Sequence, residues 1–180
     1  MSRLGKHKVD VLISEERIQG RIAEMGAMLT KEYEGRRPLL ICILKGGVPF
    51  LVDLMREVDL PLEIDFLQVS SYGTGKTSSG EVRLDKDLGT PLEGRHVLVV
   101  EDIVDTGRTL AYLLDLLRRR NPADLRLCTL LDKPSRRVVP VDVDYIGFTI
   151  DDHFVVGYGL DYAEEFRNLP YIGLYVGEEE

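Results

Sequence analysis

The stretch from His96 to Leu110, HVLVVEDIVDTGRTL, passes from apolar to acidic to hydroxyl- and glycine-bearing residues. Val97 to Val100 are consecutive apolar residues, the pattern of a strand buried on both faces, and they stop at the paired carboxylates Glu101 and Asp102. A short loop with Asp105, Thr106, Gly107 and Thr109 follows, and Leu110, Leu113, Leu114 and Leu117 then recur at helical spacing. The reading is strand, phosphate-sized loop, helix. Free N–H groups and the helix dipole at the start of such a helix attract an anion, and Gly107 lets it approach the backbone. Thr106 and Thr109 add hydroxyl donors. Glu101 and Asp102 suit hydroxyl groups or a hydrated divalent cation. A sugar phosphate satisfies both halves of this site.

The same pattern recurs on either side. Leu39 to Leu44 form another buried run, ending in Lys45-Gly46-Gly47 before a helix that carries Phe50, Leu51, Leu54, Met55 and Val58. Glycines after a lysine at a strand end allow amides and an ammonium to converge on a second anion. Leu125 to Leu131 make a further strand ending at Asp132-Lys133-Pro134. Ser14 to about Tyr33 read as an amphipathic helix, capped by Ser14, with Ile18, Ile22, Met25 and Leu29 in one stripe. Leu62 to Val69 look like a strand, and the loop from Ser70 to Gly80 returns into Glu81 to Asp85, which alternates like a partner strand. The Gly-Lys-Thr inside that loop is not a nucleotide-binding P-loop: the first required glycine falls on Ser70, and no helical pattern follows Thr77. Buried strands alternating with helices predict an α/β fold with a mostly parallel, twisted sheet flanked by helices, and polar strand ends predict a crevice there.

Composition narrows the function classes. A chain of 180 residues with 44% hydrophobic and 30% charged residues suits one globular domain spanning 1–180, and no apolar run is long enough to cross a bilayer. The basic N-terminus lacks a following apolar core, so the expected location is cytoplasmic, with no membrane partner. A net charge of -8 argues against a general grip on nucleic acid. The cluster Arg118, Arg119 and Arg120 closes the helix begun near Gly107, where cations complement the dipole. Cys42 and Cys128 sit inside predicted core strands and read as buried thiols. The tail Glu178-Glu179-Glu180 serves solubility.

Val99 to Thr109 resembles the phosphoribosyl diphosphate binding motif of the type I phosphoribosyltransferases, and the rest of the chain resembles their hypoxanthine-guanine (6-oxopurine) branch. The resemblance implies that fold, with a small hood built from the N-terminal segment and about 145–180, and a flexible lid hairpin at about 70–85 whose Ser71-Tyr72 pair closes over the sugar. It implies transfer of a 5-phosphoribosyl group to hypoxanthine or guanine, giving IMP or GMP and pyrophosphate, with Mg2+ as cofactor and dimers or tetramers as assemblies.

Residue roles follow from the same likeness. Glu101 and Asp102 hold the ribose hydroxyls and metal, Ile103 and Val104 lie in the motif, and Thr106, Gly107, Arg108 and Thr109 hold the 5-phosphate. Arg108 departs from the lysine often found there and keeps the charge. Asp105 is the general base at purine N7. Leu44 to Gly47 match the pyrophosphate loop, in which the peptide before Lys45 is cis, so Lys45 and Gly46, with Arg167, accept pyrophosphate. Lys133 donates to the purine O6, Phe154 stacks on the ring, the Val155 backbone reads its edge, and Asp161 holds magnesium. His153 is a surface position. Two other classes compete. An RNA-binding pyrimidine-operon regulator of the same fold shares the motif but should lack Lys133 and Phe154-Val155, and a phosphoacceptor receiver domain needs neither Lys-Gly-Gly nor Thr-Gly-x-Thr.

Overall fold

The computed structural model describes residues 7–71 and 82–178. In chain order its elements are β1 (His7–Ile13), α1 (Glu15–Glu32), β2 (Leu39–Leu44), α2 (Val48–Glu57), β3 (Glu63–Ser71), β4 (Val82–Lys86), β5 (His96–Val104), α3 (Arg108–Arg118), β6 (Asp124–Asp132), β7 (Tyr145–Thr149), β8 (Val155–Val156) and β9 (Ile172–Glu178). Six strands form one sheet in the order β4-β3-β2-β5-β6-β7. Its neighbours are parallel except β3 and β4. A smaller antiparallel sheet, β1-β9-β8, joins the N-terminal residues to the C-terminal ones.

Alternation along the central strands sorts the core into two layers. Leu39 lies opposite Val97 and Ile41 opposite Val99, and these pack with Leu110, Leu113, Leu114 and Leu117 of α3. The residues between them, Leu40 opposite Leu98 and Cys42 opposite Val100, pack with Ile18, Ile22, Met25 and Leu29 of α1 and Phe50, Leu51 and Leu54 of α2. A strand covered on both faces has no polar side to alternate with, hence its unbroken apolar run. Both cysteines are buried free thiols, and burial pushes Cys42 up to about 12. No helix among the described residues is long and apolar enough to cross a membrane.

Three boundaries differ from the sequence reading. β5 does not stop at Val100 but runs to Val104, because Ile103 and Val104 keep pairing with Leu131 and Asp132 of β6. Glu101 and Asp102 are therefore inside the strand. Tyr145–Thr149, counted with the hood above, is the edge strand of the large sheet, with Phe148 opposite Leu131. The returning strand after the glycine-rich loop is Val82–Lys86, paired to β3 through Val69 with Leu84 and Ser70 with Arg83. Residues 72–81, which include Tyr72 and most of the expected lid, lie outside the described residues.

Candidate active site

The strand order places a crevice before any side chain is considered. From β2 the chain moves outward to β3 and β4, then returns to β2's other side and proceeds through β5, β6 and β7. The connections leaving β2 and β5 thus part in opposite directions, and ligands of such sheets sit between the carboxyl ends of those strands. β2 ends at Leu44, whose peptide to Lys45 is cis, and β5 delivers Glu101 and Asp102.

At that point the backbone of one strand end meets the side chain of the other. A β-carbon on Gly46 would collide with the Asp102 carboxylate, and it would stand 3.5 Å from the Gly159 carbonyl. Glycine is required for this approach. Glu101 Oε1 accepts from the Asp102 amide at 3.0 Å, and Asp102 Oδ1 from the Ile103 amide at 2.7 Å. Neither carboxylate makes an ion pair within 4.0 Å among the described residues. Burial drives Glu101 well above the usual carboxylate range, and the neighbouring Asp102 charge adds to it. Burial also raises Asp102, against the opposing pull of its hydrogen bonds and of the Arg167 guanidinium. Two crowded acids without a cation gain from hydroxyl donors or a metal.

The phosphate loop lies beyond them. Gly107 takes the left-handed conformation at φ 82° and starts α3, whose first residue is Arg108. Residues Glu101 and Ile103 to Gly107, with Thr109 and Leu110, line a cavity of about 170 Å³. Asp105 projects at its rim, with Arg136 Nε 3.3 Å from its carboxylate.

The other wall comes from the C-terminal third. Arg167 donates to the Gly159 carbonyl at 2.7 Å and pairs with Asp161 at 2.9 Å and Glu164 at 3.4 Å. Its Nε is buried with no hydrogen-bond partner among the described residues. Lys45 Nζ reaches Glu164 at 2.9 Å, which holds the Glu164 carboxyl below the usual range. Lys133, at the end of β6, is buried and donates to the His153 carbonyl. Beyond that carbonyl Phe154 is 56% exposed, with Tyr162 edge-on at 5.9 Å, while Val155 is buried in β8.

Lys45, Gly46, Asp102, Asp161 and Arg167 are thus linked through Glu164, through Gly159 or through charge, while the Asp105 to Thr109 loop follows Asp102 along the chain and Lys133 is tied to its start by the Val104 carbonyl. Sequence reasoning missed Glu164, Arg136, Arg137 and the His153 carbonyl. Glu164, three residues before Arg167, was a legible helix-like spacing; a main-chain carbonyl leaves no mark in a sequence.

The phosphoribosyl transferase domain family matches residues 12–163. The bifunctional protein TilS/HprT of Listeria monocytogenes serotype 4b is 58% identical over 91% of this chain, which spans about a quarter (25%) of that longer relative. The hypoxanthine-guanine phosphoribosyltransferase of Bacillus subtilis is 54% identical over 94% of both chains. A crystal structure of the hypoxanthine phosphoribosyltransferase of Staphylococcus aureus superposes with a TM-score of 0.90 at 48% identity, covering 95% of this chain and 92% of that one. Strand order, crevice and likeness over nearly the whole length agree, and the chain belongs to the phosphoribosyl transferase domain family, in its hypoxanthine-guanine branch.

Proposed function

We propose that this protein moves the 5-phosphoribosyl group from phosphoribosyl diphosphate to a ring nitrogen of hypoxanthine or guanine, releasing pyrophosphate and giving IMP or GMP. The observation that carries this reading is the meeting of Gly46, Asp102 and the Asp161–Arg167 pair at the point where the strand order reverses. A diphosphate, a ribose and a metal need these groups together. Thr106 to Thr109 and the start of α3 hold the 5-phosphate, and Glu101 and Asp102 accept from the ribose hydroxyls. Lys45, Gly46 and Arg167 receive the departing pyrophosphate, with the buried Arg167 Nε as an available donor. Asp105, on the loop between sugar and base, shares the purine N7 proton as the bond forms. Lys133 donates to O6, Phe154 covers one face of the ring, and the Val155 backbone reads its edge. Adenine would meet donor with donor and is rejected.

No three His, Cys, Asp or Glu side chains cluster to form a metal cage among the described residues. Magnesium keeps waters and substrate oxygens and needs only one or two carboxylates. Asp161 on one wall, or the Glu101–Asp102 pair on the other, would hold it, and it would neutralise charge on the pyrophosphate. The hood, formed by β1, β8 and β9, would exclude water from the reacting sugar. A cytoplasmic dimer or tetramer belongs to the same reading. The RNA-binding alternative is disfavoured by Lys133 and Phe154, which a regulator does not require.

The test is nucleotide formation from phosphoribosyl diphosphate and magnesium with hypoxanthine, guanine, xanthine, adenine and uracil in parallel. Turnover of 6-oxopurines with adenine and uracil inert is expected. Binding of phosphoribosyl diphosphate without turnover of any base would overturn the transferase reading.

A further inference from the structure

β5 and β6 run side by side, with Val104 opposite Asp132, and then separate. β5 goes on to the Asp105 to Gly107 loop, β6 to Lys133 and the short helical turn Pro134–Arg136. The turn brings the chain back beneath the loop. Val138 and Val139 both donate to the Thr106 carbonyl, at 2.9 and 3.1 Å, and Lys133 N donates to the Val104 carbonyl at 3.0 Å. A β-carbon on Gly107 would collide with the Val139 carbonyl and stand 3.1 Å from Cδ of Arg137. The phosphate loop is pressed onto this segment.

One side chain spans the gap. Arg137 donates through one terminal nitrogen to the Asp105 carbonyl at 2.8 Å and through the other to the Asp132 carboxylate. The side chains of Arg137 and Asp132 are 17% and 9% exposed, whereas those of Arg136 and Asp105 are 48% and 43% exposed. The first pair is built in; the second is a surface contact. We propose that Arg137, with Asp132, is a positioning pair that sets the distance between the phosphate loop and Lys133, and hence between the sugar and the base. The proposal rests on the transferase reading above. Arginine is needed because its planar fork reaches two acceptors at fixed separation, which a lysine ammonium does not. Arg137 touches neither substrate in this assignment. It acts on the alignment of two groups held at opposite ends, and an error of about 1 Å in such an alignment costs on the order of 100-fold.

The readout is a ligand that bridges the two subsites. IMP occupies both, while ribose 5-phosphate and hypoxanthine each occupy one. For Arg137→Met we expect the Kd of IMP to rise by about 100-fold while that of each fragment changes by less than about threefold. Arg137→Lys keeps one of the two contacts and falls between, as does Asp132→Asn. These dissociation constants refer to folded protein, so a smaller folded fraction does not mimic the pattern. Should Arg137→Met not fold, Arg137→Lys and Asp132→Asn decide alone. Equal weakening of IMP and of its fragments, or no weakening of IMP, would overturn the positioning role. Failure of the unsubstituted protein to bind IMP would instead overturn the transferase reading itself.

Discussion

The carboxyl-terminal halves of β5 and β6 are neighbours in one sheet, both carry acids, Glu101 and Asp102 in β5 and Asp132 at the end of β6, and they are used in opposite ways. At β6, Asp132 is matched by Arg137 and the adjoining Lys133 by the His153 carbonyl. At β5, Glu101 and Asp102 have no cation in contact among the described residues, and burial holds both above the usual carboxylate range. A buried acid paired within the fold is already satisfied and contributes to position. A half-buried acid without an ion pair keeps acceptor capacity that a ligand can meet. The contrast separates scaffold from receptor within a few ångströms of sheet, and it is sharper than any single residue assignment.

The largest effect should come from the loop that follows the receptor end. Asp105→Asn keeps shape and removes the group assigned to the N7 proton, so kcat should fall by about 10³-fold with KM values little changed. Steady-state kinetics with hypoxanthine decide this, and equal losses in kcat and in substrate affinity would reduce Asp105 to a binding residue. Next in size is Lys133→Met. The β6 end is matched internally, yet Lys133 has further N–H donors beyond the one given to His153. Its loss should lower kcat/KM for hypoxanthine by about 100-fold and narrow the gap to adenine, as expected when a specificity donor is removed. Unchanged discrimination would make the β6 end scaffold alone.

These two ends were not equally legible in the sequence. The central strands of the large sheet announced themselves, because burial on both faces leaves unbroken runs such as Leu39 to Leu44 and Val97 to Val100, whereas the edge strand Tyr145–Thr149, without such burial, was counted with the hood. α3 did so through the stripe from Leu110 to Leu117. The end of β5 did not: acids inside a strand look like its terminus, and only pairing of Ile103 and Val104 with β6 shows that the ladder continues. Lys133 and Phe154 could be picked out only through resemblance, since a lysine after a strand and an aromatic in a loop are ordinary. The reach of Arg137 back to Asp105 and Asp132 depends on the turn at Pro134–Arg136, whose direction a local pattern does not contain.

The unmatched acids carry a dependence of stability on pH. For a carboxyl raised in the folded state, stability is full below the ordinary values of 4.5 for Glu101 and 3.8 for Asp102. It is lost as pH rises through the higher folded values, because the folded chain then gives up protons that it held more tightly. At neutral pH the pair therefore destabilises the free protein. The double variant Glu101→Gln/Asp102→Asn should melt about 2–4 °C higher at pH 7, the shift that follows from roughly 1 kcal/mol in a chain of this size. The gain should shrink as pH falls toward 4, while the KM for phosphoribosyl diphosphate rises. Thermal unfolding across that range checks it, and a pH-independent difference would mean that the acids are satisfied in the free protein.

The smallest effect probes a pair that belongs to neither class. Lys45 and Glu164 touch at 2.9 Å, but their side chains are 56% and 65% exposed, so the contact is screened and holds the fold only weakly. In the proposed reaction Lys45 must turn from Glu164 to pyrophosphate, which makes Glu164 a placeholder for the leaving group. Glu164→Gln should therefore leave the melting temperature within about 1 °C. It should also lower the KM for phosphoribosyl diphosphate by no more than about threefold, a small electrostatic release. The advantage should vanish in high salt, where the original pair is screened already. A higher KM, persisting in salt, would instead place Glu164 among the groups that orient Arg167 for the substrate, and the wall opposite β5 would then count as matched scaffold too.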